Sequence, residues 1–190
     1  PKEPGEITET EKKIASKKWD VVILQTGTVS ILIPENRELK VNTAIAAIKK
    51  LVNTPKFKFI LFSTWPGKNQ YPQQYCYPSF MIDESIHKDK CCSPVLENLA
   101  HETKVINESY ERVAKDNDLI QSDNGNKFFE ILTQHPEIEL YEDESHPNQN
   151  GSFLNACIFY RMLTGKKTSD LKYTGTIDPA TAELLKKISD

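Results

Sequence analysis

The chain has 190 residues, with 24 Lys and Arg against 27 Asp and Glu for a net charge of -3. That length supports one domain with its own core, without a metal or disulfide to staple it. Apolar residues make up 38% and mean hydropathy is -0.53, which is polar but well above a disordered composition. The two charge signs are interleaved, and the longest apolar runs, Val21 to Leu24 and Phe59 to Phe62, fall far short of about 20 residues. A basic nucleic-acid-binding face and a membrane-spanning helix are both excluded.

The sequence opens on Pro1, and Pro1 to Lys13 contains no apolar signal-peptide core. We read the chain as starting inside a longer gene product. Trp19 to Gln25 (WDVVILQ) and Phe57 to Ser63 (FKFILFS) are short apolar runs rich in branched and aromatic residues, the pattern of buried parallel strands. Between them, Val41, Ala44, Ile45, Ile48, Leu51 and Val52 recur every three or four positions, which predicts a helix over Leu39 to Val52 stopped by Asn53-Thr54-Pro55. Strand, helix and strand at this spacing form the crossover unit of a parallel sheet.

Thr64 to Cys92 is a long aperiodic loop insertion rich in Pro, Tyr, Gln and Lys, of the kind that is usually functional or mobile. It holds three of the four cysteines. A bridge from Cys76 to Cys91 or Cys92 and a set of free thiols are both open readings. A zinc site from His87, Cys91, Cys92 and Cys76 would lack paired C-x-x-C spacing. Ser93 as N-cap and Pro94 as first helical residue predict the next helix, with Leu96, Leu99, Thr103, Ile106, Tyr110 and Val113 on one face.

A short strand over Asp118 to Gln121 and a short helix over Lys127 to Gln134 follow, and then an extended piece from Ile138 to Tyr141. A helix opening at Pro147 or Asn148 buries Leu154, Cys157 and Ile158 and stops at Gly165. Cys157 should therefore be buried and unbonded. A last helix starts at Asp178-Pro179. The sequons Asn107-Glu108-Ser109 and Asn150-Gly151-Ser152 fall inside predicted helices and are not read as glycan sites. The pattern as a whole is α/β with a parallel sheet.

Chemistry concentrates in Tyr141 to Tyr160. Asp143 stands three residues before His146 on a loop feeding a helix, so its carboxylate can hold the inner imidazole nitrogen and leave the outer one free to take a proton. The run D-x-x-H-P-N-x-x-G-x-x-L-x-A resembles the last block of the SGNH (GDSL-type) hydrolases, serine esterases and deacetylases with a three-layer α/β/α flavodoxin-like fold. More narrowly, the chain resembles an uncharacterised SGNH-like branch that combines strand-L-Q, strand-T-W and a terminal H-P-x-x-x-G-x-x-L. Those blocks are Leu24-Gln25, Thr64-Trp65 and the stretch around His146. The resemblance spans Trp19 to Gly165 and treats residues 1–190 as a single domain.

The resemblance implies that His146 is the general base and Asp143 its orienting partner. Gln25 and the Gly27 N–H would be oxyanion donors, and Trp65 a substrate wall. Each has a plainer alternative: a buried amide tying loops together for Gln25, a core-capping aromatic for Trp65. It also implies an acylated carbohydrate or small ester as substrate, no cofactor, no nucleic acid, and an extracytoplasmic location for the glycan-acting relatives.

Two departures stand out. Val29 in Gly27-Thr28-Val29-Ser30 replaces the oxyanion Asn of the family's G-x-N-D, and no G-x-S turn precedes Trp19. The nucleophilic serine is therefore expected upstream or on a second chain, with Ser30 as the substitute inside this sequence. The same argument expects the sheet to lack its first strand, because only two strong strands and two weak ones are readable where such a fold needs about five. Two other functions compete. One is a catalytically inactive SGNH-like module that binds glycans or proteins. The other is a metal-dependent hydrolase using Asp143, Glu144 and His146.

Overall fold

A computed structural model describes residues 7–52 and 58–190. The first helix, α1 (Glu9–Ala15), is opened by a reciprocal capping box between Thr8 and Glu11. Strand β1 (Val21–Gln25) leads to the short helix α2 (Thr28–Leu32). The helix expected from Leu39 begins earlier: Pro34 starts α3 (Pro34–Asn36), a π-turn (Arg37–Val41) continues it, and α4 (Asn42–Leu51) completes it. Apolar periodicity could not show this start, because it is made by Pro34 at a first helical position and not by the apolar stripe. The expected stop at Asn53-Thr54-Pro55 lies outside the described residues.

Strand β2 (Lys58–Phe62) pairs in parallel with β1, Val22 opposite Phe59 and Leu24 opposite Leu61. The insertion that follows is ordered by a small antiparallel ladder of β3 (Cys76–Pro78) and β4 (Lys90–Cys92), in which Cys76 faces Cys92 and is bonded to it. Of the two pairings left open by the sequence, geometry selects this one: Cys91 points the other way, buried against the Ser79 hydroxyl. With Cys76 and Cys92 bonded to each other, the zinc arrangement is removed.

Helix α5 (Leu99–Asp116) starts five residues later than expected, with Asn98 as its cap accepting the His101 N–H. Ser93 and Leu96 are instead held to the insertion, Ser93 by the Tyr75 backbone and Leu96 by reciprocal bonds with Gln73. Strand β5 (Ile120–Gln121) pairs in parallel with β2 and gives the order β1-β2-β5. Then come α6 (Asn124–Gln134), α7 (Gln149–Thr164) and α8 (Pro179–Ser189). Gly165 closes α7 in the left-handed conformation at φ 70°, and Asp178 and Pro179 open α8. Ile138 to Tyr141 joins no strand; Tyr141 makes only an isolated bridge to Pro147.

The three parallel strands lie between helical layers, and alternate residues of β2 face the two cores. Leu61 packs with Ile45, Ile106, Tyr110 and Val113 under α4 and α5. Phe62 faces Trp65, Phe128, Leu154 and Leu185 under α6, α7 and α8. Among the described residues β1 is hydrogen-bonded along one edge only. Two apolar grooves of about 280 and 320 Å³ flank it, one with Leu24, Val41 and Ile45, the other with Ile14, Trp19 and Ile23. No helix of the described residues is long and apolar enough to cross a membrane.

Candidate active site

The turn carrying His146 is built around one carboxylate. Asp143 Oδ1 accepts the backbone N–H groups of Ser145 at 2.8 Å and His146 at 2.7 Å, and Oδ2 lies 2.7 Å from His146 Nδ1. The two backbone donors and then the imidazole hold the carboxyl pKa down to about 2. Asp143 is therefore an acceptor, Nδ1–H is the donor, and Nε2 is left free. The same bond raises the imidazole pKa above its ordinary value. His146 stands at a rim, its side chain 75% exposed.

Hydrogen bonds to backbone carbonyls clasp this turn to the segment after β2. Trp65 Nε1–H donates to Ser145 O at 3.0 Å, Lys68 N–H to Glu144 O at 2.8 Å, and the Tyr141 hydroxyl to Pro66 O at 2.5 Å. Trp65 is both a core residue and a wall: its ring stacks on Phe128 with centroids 4.2 Å apart, and it lines the cleft below His146.

That cleft, about 710 Å³, opens at the carboxyl ends of β1 and β2, where open parallel sheets take ligands. Gln25, Gly27, Trp65 and His146 all line it, with Asp143 behind the imidazole. Gln25 is exposed and its side-chain amide bonds to no other described residue, so it does not tie loops together. Val29 and Ser30, on α2, also line the cleft. The mouth is braced by a relay from Thr28 Oγ1 to Thr64 Oγ1 to the Tyr110 hydroxyl, which donates to Thr26 O at 2.7 Å. Burial pushes the Tyr110 phenol up to about 12.

Two features escaped sequence reading. Glu102 on α5 is fully buried, yet it lines the cleft. It accepts from Asn69 Nδ2 at 2.8 Å and the Tyr71 hydroxyl at 2.6 Å, while Tyr75 donates to Asn69 Oδ1. Burial raises its pKa, opposed by those donors. The available signal was a carboxylate on the same helical face as Ile106, Tyr110 and Val113. The second is Asn155 on α7, which also reaches the cleft. Among the described residues no cluster of three His, Cys, Asp or Glu side chains is arranged to hold a metal ion.

No family model matches the sequence, and neither does any curated protein. The fold is similar to the crystal structure of a DUF4886 family protein from Bacteroides uniformis, with a TM-score of 0.73 at 16% identity. The match covers 95% of this chain and 64% of that one, so the chain spans under two thirds of that protein's length. At that identity the likeness concerns the fold.

Proposed function

We propose that the chain is the major part of an SGNH-type serine ester hydrolase acting on acylated carbohydrates or small esters. The observation that carries this reading is the Asp143–His146 pair at the rim of a cleft that also holds Gln25, Gly27 and Trp65. His146 Nε2 takes the proton of a serine hydroxyl as it attacks the ester carbonyl, and returns it to the leaving alcohol. Water then attacks the acyl-enzyme with the same assistance, releasing the acid and regenerating the serine. Gln25 Nε2 and the Gly27 N–H, both untied and both on the cleft, are the donors for the oxyanion.

The nucleophile is assigned to a strand upstream of Pro1 or on a second chain, seated along the open edge of β1. Support for this comes from that edge and from the apolar grooves on its two sides, which fit alternating side chains of one more strand. The test is hydrolysis of 4-nitrophenyl acetate by the chain with its upstream gene segment, against His146→Ala and Asp143→Asn in the same background. Turnover lost in the first variant and cut by orders of magnitude in the second is expected. Turnover by the 190-residue chain alone, abolished by Ser30→Ala, would transfer the nucleophile to Ser30. Binding of acetylated sugars with no turnover by either form would return the reading to an inactive binding module.

A further inference from the structure

The cleft lining includes Asn155, which the hydrolytic chemistry does not use and which is bonded to a second asparagine, Asn124. Asn155 lies in the second turn of α7 and is 9% exposed. Its Oδ1 accepts from Asn124 Nδ2 at 2.6 Å. Asn124, at the start of α6, is fully buried, and its own Oδ1 has no hydrogen-bond partner. A buried amide that spends its donor on Asn155 and leaves its acceptor unpaired is not there for its own satisfaction. Because the two ends of an amide point apart, fixing Asn155 Oδ1 toward Asn124 turns Asn155 Nδ2 the other way. That nitrogen has no acceptor among the described residues, and Asn155 is part of the cleft lining.

The surroundings define what Asn155 can receive. One turn further along α7, Phe159 meets Phe62 edge-on at 4.7 Å, and Phe62 and Trp65 line the cleft as well. No Lys or Arg is among the described residues lining the cleft, whereas Glu102 and Glu144 are. Apart from His146 at the rim, the described lining carries no cation; an aromatic wall, the Asn155 amide and two acidic residues suit an uncharged oxygen acceptor better than an anionic one.

We propose that Asn155 Nδ2 is a specificity-determining donor that binds a neutral oxygen of an uncharged acylated sugar, and that Asn124 is the positioning residue that fixes its orientation. This rests on the hydrolase reading and narrows its substrate class to esters without a carboxylate or phosphate.

The experiment is a binding titration, which does not depend on turnover. The 190-residue chain is labelled with nitrogen-15 and titrated with N-acetylglucosamine, a neutral sugar whose acyl group an esterase does not cleave. The Asn155 side-chain resonance is identified by its loss in Asn155→Asp. A saturable shift of that resonance is expected, with affinity at least tenfold weaker in Asn155→Asp, an isosteric change that replaces the donor with an acceptor. Asn124→Asp should turn the Asn155 amide around, moving its resonance and making it insensitive to the sugar while the rest of the spectrum stays folded. Should Asn155→Asp fail to fold, Asn155→Ser carries the affinity comparison. Equal binding by wild type and the folded Asn155 variant overturns the proposal and leaves the hydrolase reading standing. Absence of saturable binding, or tighter binding of glucuronate than of the neutral sugar, overturns it too. Failure of the hydrolase reading shows separately, in the nitrophenyl ester assay.

Discussion

At the scale of single residues, the Asp143–His146 pair makes a prediction about protons. The carboxylate holds the imidazole pKa above its ordinary value of about 6.5, so His146 is expected to titrate above that value by NMR and to fall back toward it in Asp143→Asn. A raised folded-state pKa means that the charged pair favours the fold below about pH 6.5 and that this contribution is lost as pH rises through the folded value. At such an exposed site the contribution is small. A general base must be neutral, so the ester hydrolysis proposed above should rise with pH through the same midpoint. A His146 midpoint unchanged in Asp143→Asn would break the link. The pair was readable because it is local: three residues of separation fix its geometry. Glu102 and Asn155 were not, because what matters about each is a partner 31 or more residues away in sequence.

At the scale of elements, the start of α7 sets where His146 sits. Gly151 lies so close to the preceding turn that an added Cβ would stand 2.5 Å from Leu140 O and 2.9 Å from the Pro147 ring. Gly151→Ala must push α7 off the loop that holds His146. We expect a loss of about 1–3 kcal/mol in urea unfolding, together with a changed His146 titration. A wild-type stability would show that the helix can shift freely. The bridge Cys76–Cys92 closes a loop with a sequence separation of 16 and anchors the ladder that brings Tyr75 and Tyr77 to the cleft. Replacing both cysteines with serine should cost about 3 kcal/mol, and should raise proteolysis within the insertion above that elsewhere. Equal cleavage throughout would mean that the bridge does not order that wall.

Apolar periodicity located α4 and α7 because each has a buried stripe, whereas α6 starts three residues before the short helix expected at Lys127. The beginnings of α3 and α5 depend on capping and on tertiary bonds, as when Gln73 claims Leu96 and delays the helix to Asn98. Ile138 to Tyr141 has the composition of a strand, yet Glu139 O is taken by the side chains of Asn148 and Asn150, so side-chain bonds replace a ladder.

At the scale of the whole molecule, the parallel sheet was legible from two apolar runs and the helix between them. The three-layer arrangement was implied by the resemblance, and in the structure Leu61 and Phe62 alternate between the two cores. The open edge of β1 has a physical cost. Ile23 is 43% exposed on a strand whose outer backbone groups have no partner among the described residues, a template for pairing with another chain. The 190-residue chain is expected to self-associate as its concentration rises, measured by light scattering after size exclusion. Ile23→Lys should shift it toward monomer. A chain that stays monomeric at high concentration, with β1 amides as protected from exchange as those of β2, would show that the edge is already satisfied.

The clasp between the two loops bears on how the site can be rebuilt. The turn bearing the imidazole is moored to Trp65, Pro66 and Lys68 by three hydrogen bonds, all accepted by main-chain carbonyls and one of them also donated by a main-chain N–H. A loop graft that imports a new Trp65–Lys68 segment to change the cleft would cut the moorings of His146 at the same time. On the proposed hydrolase reading, recognition and proton transfer would form a single module, and a transplant would succeed only when the stretch from Tyr141 to Pro147 travels with it.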